Sequence, residues 1–348
     1  MGENFLQSRT KRHANFRLCN VSGFTTELLE ICADEPAFHV LFIPGNPGVV
    51  TFYIDFVESL YELLGGHGSV TAVVGYISHT MQNWEQGMVF TLQEQIDHKA
   101  VFIEQELTNN KVPIILVRPT YGLLVVMLAA ELVWKNCCAT RNPSLYDFLD
   151  KVGHSIGAYA SIEILKRIPK KVFYCIGLYP FLAVNPESRD QFIIDKISRS
   201  STISVALSAL VGLSGLLPNS VKWFVVSKVI GKKYSNNAVE TVCSHLAQYH
   251  MMLNIFFLVH TEFEELAETP DWAFMREKQD KIAFLFGEDD HWGPLQMCEE
   301  ISRQVPGIVV SIEREGHGHC FCGSTDSSTW VARHVAALIN KQLSRSSL

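Results

Sequence analysis

Gly153-His154-Ser155-Ile156-Gly157 sets a serine between two glycines, each two residues away. A chain that reverses sharply from strand into helix holds its central residue at a strained backbone angle, and side chains two positions away on either side would collide. The stretch therefore has the form of a nucleophile elbow, with Ser155 as the nucleophile. The residues that should feed it as a buried strand read Phe148-Leu149-Asp150-Lys151-Val152, with two charges where apolar residues are needed. The strand-like run Val112-Pro113-Ile114-Ile115-Leu116-Val117 lies upstream, and the 35 residues from Arg118 to Val152 stand between it and the elbow.

Around this point the chain alternates short apolar runs with helical periodicity. Phe16 to Val21 and Thr26 to Ile31 suit a hairpin, and Phe38 to Ile43, Thr71 to Ile77, Ile114 to Val117, Lys171 to Leu178, Ile282 to Phe286 and Ile308 to Ile312 read as strands. Helices are expected over Tyr53 to Leu64, Leu92 to Leu107, Ala158 to Arg167, Leu295 to Gln304 and Trp330 to Leu343. Alternation of this kind predicts an α/β fold: a mostly parallel central sheet with helices on both faces. Residues 1–184 form the first part of that core, with 118–152 as an atypical insert, and residues 276–348 form the second part. The block 185–275 between them reads as an apolar helical lid. Within it, Ile203 to Leu217 carries only serines and glycines among apolar residues, and Val221 to Ile230 resumes after Pro218-Asn219. A helix over the first limb is about 22 Å long, short of the roughly 30 Å of a bilayer core. It is expected either to pack as a buried lid or to enter a single lipid leaflet, and surface exposure distinguishes the two.

The chain of 348 residues is 47% hydrophobic and 19% charged, ample for a folded core, and its net charge of -7 argues against binding nucleic acid by counterion release. Nine cysteines without a regular framework fit reduced thiols, and residues 1–13 lack the apolar core of a cleaved signal.

A serine hydroxyl needs a base within hydrogen-bond reach, and that base needs a third group to orient it. After the strand ending at Phe286, Gly287-Glu288-Asp289-Asp290-His291-Trp292-Gly293-Pro294 supplies acids, and after Ile312, Glu315-Gly316-His317-Gly318-His319-Cys320-Phe321 supplies histidines. Carboxyl ends of strands are where open α/β sheets gather their sites. Spacing alone barely separates Asp290, which lies deeper in its turn, from Asp289, or His319 from His317. His317, His319, Cys320 and Cys322 also offer zinc-type ligands, but their spacing is too tight and no second pair completes a structural site. For the oxyanion of an acyl-transfer intermediate, one donor is the amide of Ile156 after the nucleophile. Another is Asn46 in Pro44-Gly45-Asn46-Pro47-Gly48, where Pro47 has no amide hydrogen. No metal and no cofactor is expected.

Ile43-Pro44-Gly45-Asn46-Pro47-Gly48 with Tyr53, Gln95-Ile96-Asp97-His98-Lys99, the Ser155 elbow, Leu178-Tyr179-Pro180 and the Gly287 to Pro294 turn together resemble the lipid droplet-associated hydrolase family. The resemblance implies an α/β-hydrolase fold and a serine hydrolase acting on carboxylic esters of lipids, sterol esters or acylglycerols among them. It assigns the nucleophile to Ser155, the acid to Asp290 and the base to His319. It also implies a lipid droplet location, with a cytosolic or endoplasmic-reticulum-associated pool, and a lipid-contacting hairpin over Ile203 to Ile230. Its partners are then a lipid ester and a droplet monolayer or endoplasmic-reticulum surface. The alternative is a catalytically weak or inactive droplet-surface protein of lipid storage.

The resemblance omits 118–152. Val117-Arg118 can be encoded as a splice donor and Lys151 as an acceptor end, and excision between them keeps the reading frame and joins Leu116 to Val152. We expect a form lacking this interval to hydrolyse a short-chain aryl ester faster than the full chain. Equal turnover of the two purified forms contradicts that expectation.

Overall fold

The computed structural model describes residues 12–66, 68–107, 112–118, 156–229, 234–266 and 269–346. Ser155, nearly all of the 118–152 segment and residues 1–11 lie outside the described residues.

Strands and helices follow one another as β1 (Asn15–Val21), β2 (Phe24–Ile31), β3 (Phe38–Phe42), α1 (Ile54–Leu63), β4 (Gly68–Val74), α2 (Leu92–Glu106) and β5 (Ile114–Arg118). After the undescribed stretch come α3 (Ile156–Arg167) and β6 (Val172–Leu178). The chain then leaves the sheet through α4 (Arg189–Arg199), α5 (Ser201–Gly215), α6 (Asn219–Val229), α7 (Asn236–Thr241, continuing as a π turn to Leu246), α8 (Tyr249–Glu265) and α9 (Trp272–Glu277). It returns as β7 (Ile282–Gly287), α10 (Leu295–Gln304), β8 (Val309–Glu313) and α11 (Thr325–Ser346).

The eight strands form one sheet in the order β1-β2-β4-β3-β5-β6-β7-β8. From β4 to β8 all neighbours are parallel, and only the pairings of β2 with β1 and β4 are antiparallel. Strands buried on both faces must be apolar throughout, and β7, Ile-Ala-Phe-Leu-Phe-Gly, is buried at every position. The α2 helix starts at a capping box, in which Thr91 Oγ1 accepts from the Glu94 amide and the Glu94 side chain accepts from the Thr91 amide.

β4 ends at Val74, earlier than the apolar run Thr71 to Ile77 predicts. The next backbone groups are taken from outside the sheet ladder: Gly75 N–H donates to Glu27 O, Tyr76 N–H to Gly48 O, and Ile77 exchanges two hydrogen bonds with the Gln95 side chain.

In the covering block between β6 and β7, α7, its π turn and α8 are tied to the core by buried and half-buried polar bonds. His245 Nε2 lies 3.2 Å from Glu27 Oε2, His250 Nε2 lies 3.0 Å from Thr80 O, and Asn254 Nδ2 donates to Met88 O. Leu92 N–H donates to Thr261 Oγ1 and Asn237 Nδ2 to Asp55 Oδ1. α5 packs on the start of α8 so closely that a β-carbon on Gly212 would lie 2.9 Å from Tyr249 Cβ, and one on Gly215 would meet the Ala247 carbonyl oxygen.

The packed face of α5 holds Ser204, Ser208 and Val211, the two glycines and the half-buried Leu207. Its serine hydroxyls donate to backbone oxygens of Ile197 and Ser204, so their burial leaves no orphan donor. The apolar residues Ile203, Val205, Leu210, Leu213 and Leu216 face outward. α6 has no buried residue at all and exposes Val221, Trp223, Phe224 and Val225. Of the two expectations for this hairpin, the wholly buried lid is excluded. Among the described residues no single helix is long and apolar enough to cross a membrane, and α4 with α5, which pass such a test as a pair, are bent by 92°.

Candidate active site

The turn after β7 brings Asp290 inward and leaves Glu288 and Asp289 exposed. Two glycines make that turn possible. A β-carbon on Gly287 would lie 2.9 Å from the Tyr179 ring and 3.4 Å from Asp290 Cβ, and one on Gly293 would lie 2.5 Å from the Pro180 oxygen. Asp290 Oδ1 accepts a 2.9 Å bond from the Trp292 amide, which fixes the carboxylate, and its Oδ2 lies 2.7 Å from His319 Nδ1. Both residues are buried.

His319 comes from the loop after β8, where Gly316 takes the left-handed conformation, φ +85°, that reverses the chain. His317 points elsewhere: its Nδ1 lies 3.1 Å from Ser327 Oγ and its ring packs against Trp330. The pairs left open by spacing are thus separated by geometry, with Asp290 and His319 facing each other and Asp289 and His317 turned away. Tyr179, itself at φ +48°, donates from its hydroxyl to His317 O, sets its ring edge-on to His319 at 5.8 Å and stacks on Phe321. Burial, reinforced by Glu313 and Asp290, holds the Tyr179 phenol well above its ordinary pKa, so it stays a donor.

Ile156 is the first residue of α3, at the positive end of the helix dipole. Asn46 lies in the turn after β3 and is fully buried. Its Nδ2 donates to Ile255 O and to Glu262 Oε1, each at 3.1 Å, which uses both side-chain hydrogens. The next peptide, Asn46-Pro47, is cis and Pro47 has no N–H. Gly48 N–H donates to His79 Nδ1 at 2.8 Å, and a β-carbon on Gly48 would lie 2.5 Å from the Tyr76 ring.

His79 can accept that bond only while Nδ1 is unprotonated. Burial first, then the charge of Lys99 and His250, push its pKa down to about 3. His98 is pushed to about 2 by burial and by Lys99. Lys99 itself is buried, donates to Gly75 O at 2.7 Å, and sits 3.1 Å from His98 Nδ1 and 4.8 Å from the Tyr76 ring centroid. The Gln95 to Lys99 run thus fastens the end of β4 beneath the Asn46 turn. His79, Glu262 and Glu27 escaped the sequence reading. Each is a polar residue whose burial depends on a partner far along the chain, and no local pattern marks it.

The fold is that of the α/β-hydrolases. Solved structures similar to the chain include a haloalkane dehalogenase from Bradyrhizobium elkani (TM-score 0.63, 13% identity, covering 95% of this chain and 99% of that one). An epoxide hydrolase from Vigna radiata matches at TM-score 0.59 and 14% identity, over 95% and 100%. The model of the lipid-droplet associated hydrolase family matches residues 36–118 and 148–322, more than half of the chain, and the chain belongs to that family. The match breaks off within the 118–152 segment. Relatives named lipid droplet-associated hydrolase include those of Rattus norvegicus, 26% identical over 95% of this chain and 96% of the relative, and Dictyostelium discoideum, 24% identical over 85% and 86%.

The two depressed histidines predict acid lability with a definite sign. Between their folded values and the ordinary 6.5, the unfolded chain binds protons that the folded chain refuses, so stability is complete above that range and falls as pH drops through it. At pH 5 each histidine removes about 2 kcal/mol. Urea midpoints at pH 7 and pH 5 measure this. The fall should be smaller in His79→Asn, which keeps an acceptor where Nδ1 stands, and an unchanged fall contradicts the assignment.

Proposed function

We propose that the chain is a serine hydrolase cleaving carboxylic esters of lipids at a droplet surface. The observation that carries the hydrolytic reading is the buried Asp290–His319 pair, set at the carboxyl ends of adjacent strands β7 and β8. Ser155 immediately precedes α3 in the sequence.

In this mechanism His319 Nε2 takes the Ser155 hydroxyl proton as Oγ attacks the ester carbonyl. The Asp290 carboxylate holds the Nδ1–H tautomer and stabilises the imidazolium that forms. The negative charge on the carbonyl oxygen is received by the backbone amides of Ile156 and Asn46. Asn46 contributes through its backbone because its side-chain hydrogens are committed to Ile255 and Glu262. The tetrahedral intermediate expels the alcohol, protonated by His319, and leaves an acyl-serine. A water activated by His319 then releases the fatty acid and restores Ser155.

The lipid reading is supported by the inverted α5 helix, which buries serines and presents leucines to the surroundings. Leu213, Leu216 and Phe224 are 62%, 80% and 60% exposed, and each gains about 1.5–3 kcal/mol when fully removed from water. Lys196 and Lys228 lie over the exposed rings of Phe192 and Phe224, an arrangement of cations beside aromatics that suits an interfacial helix. The loop between β4 and α2, held to α8 through Thr80 and Met88, exposes Met81, Trp84 and Met88 as well. Sterol esters and acylglycerols are the substrates that such a surface would deliver.

Two measurements check this. A fluorophosphonate probe should label the protein and fail to label Ser155→Ala, while Asp290→Asn should lower kcat on an aryl ester by about 10³- to 10⁴-fold. Absence of labelling in a well-folded form lacking the insert would instead support a non-catalytic droplet-surface role. Separately, the triple variant Leu213→Glu, Leu216→Glu, Phe224→Glu should lose binding to triglyceride droplets coated with phospholipid yet turn over a soluble aryl ester at the original rate. Retained droplet binding contradicts the lipid role of α5 and α6.

A further inference from the structure

The turn that carries Asn46 is held from two sides, and the two clamps come from different parts of the molecule. On the sheet side, Gly48 N–H donates to His79 and Gly48 O accepts from Tyr76 N–H. On the other side, both Asn46 side-chain hydrogens go to α8, a helix that belongs to the covering layer. Ile255 O and Glu262 Oε1 are the acceptors, and residues seven apart on a helix fall on one face two turns from each other.

Glu262 is fully buried among apolar neighbours on its own helix, with Leu258, Val259 and Phe263 buried beside it. Placing a carboxylate there is costly, and a leucine or methionine would pack the helix at lower cost. A carboxylate is needed only where a donor must be held.

We propose that Glu262 is a positioning residue for ester hydrolysis, acting through the Asn46 side chain to aim the Asn46 backbone amide at the oxyanion. The inference rests on the Ser155 mechanism proposed above. Oxyanion donors act by preorganisation, so their effect falls steeply when the amide shifts by a fraction of a bond length, whereas substrate binding in the ground state is little altered. Loss of the acceptor leaves a buried Nδ2–H without a partner and frees Asn46 to turn, which moves its own amide. The loss should therefore appear in kcat and not in KM.

The test uses the full chain and p-nitrophenyl butyrate, with wild type, Glu262→Met, Glu262→Gln, Asn46→Ala and the Asn46→Ala, Glu262→Met double variant. Glu262→Met keeps the volume and removes the acceptor, and should lower kcat about 10- to 100-fold, within the range of a lost oxyanion donor, at nearly constant KM. Glu262→Gln, which retains a carbonyl acceptor, should restore most of kcat. The double variant should be no slower than the slower single, because both substitutions break one contact. If Glu262→Met does not fold, Asn46→Ala, which removes this contact together with the one to Ile255 O, should lower kcat at least as much at nearly constant KM. Glu262→Met with wild-type kcat, a loss confined to KM, or a double variant whose loss is the product of the singles overturns the inference. Ser155→Ala, measured alongside, separates the two levels. If it is inactive while Glu262→Met is unimpaired, only the role of Glu262 fails, and if it remains active the underlying mechanism fails and this inference with it.

Discussion

The parallel register of β3, β5, β7 and β8 is the constraint on which the rest depends. It delivers these strand ends to one rim, and the turns after β7 and β8 leave their residues little choice of direction. Asp290 is turned inward because Gly287 lies against the Tyr179 ring and Gly293 against the Pro180 backbone. His319 is turned toward it because the β8 loop reverses at Gly316 and Tyr179 braces both the loop oxygen of His317 and the ring of His319. Two chain segments far apart in sequence thereby meet at 2.7 Å out of contact with water.

Much of this was legible in the sequence because apolar runs of strand length alternating with helical periodicity admit few arrangements. Strand ends were least legible where side chains capture the backbone, as at Ile77, whose hydrogen bonds go to Gln95. The site was legible to the level of a turn. Asp289 and Asp290 are neighbours, and His317 and His319 are two apart, so the choice within each pair depends on how the turn is rotated against β6. That rotation is set by Tyr179, which no local spacing reveals. Glu262 was illegible for a related reason, since a polar residue near the end of an apolar helix reads as solvent-facing until its partner, Asn46, is brought beside it.

The hairpin of α5 and α6 shows why composition alone left two readings. Serines and glycines among leucines describe a buried helix and a lipid-facing one equally well, and the face that packs decides between them. Here the small residues pack with Leu207 and Val211, because Gly212 and Gly215 allow the helix to approach Tyr249 and Ala247 closely, while Ile203, Val205, Leu210, Leu213 and Leu216 are left outside. In water that arrangement leaves hydrophobic area unburied, and contact with acyl chains would offset it. The same close contact fixes α8, the helix whose Ile255 and Glu262 hold the Asn46 turn, so the exposed apolar hairpin and that turn share one structural element.

The central claim is that Ser155 carries the acyl group of the substrate. Rapid quenching of the full chain with a slowly deacylated ester, followed by peptide mapping by mass spectrometry, measures this directly. The account predicts a single acyl adduct on the peptide containing Ser155. An adduct on another side chain, or sustained turnover with no adduct at any quench time, would contradict it.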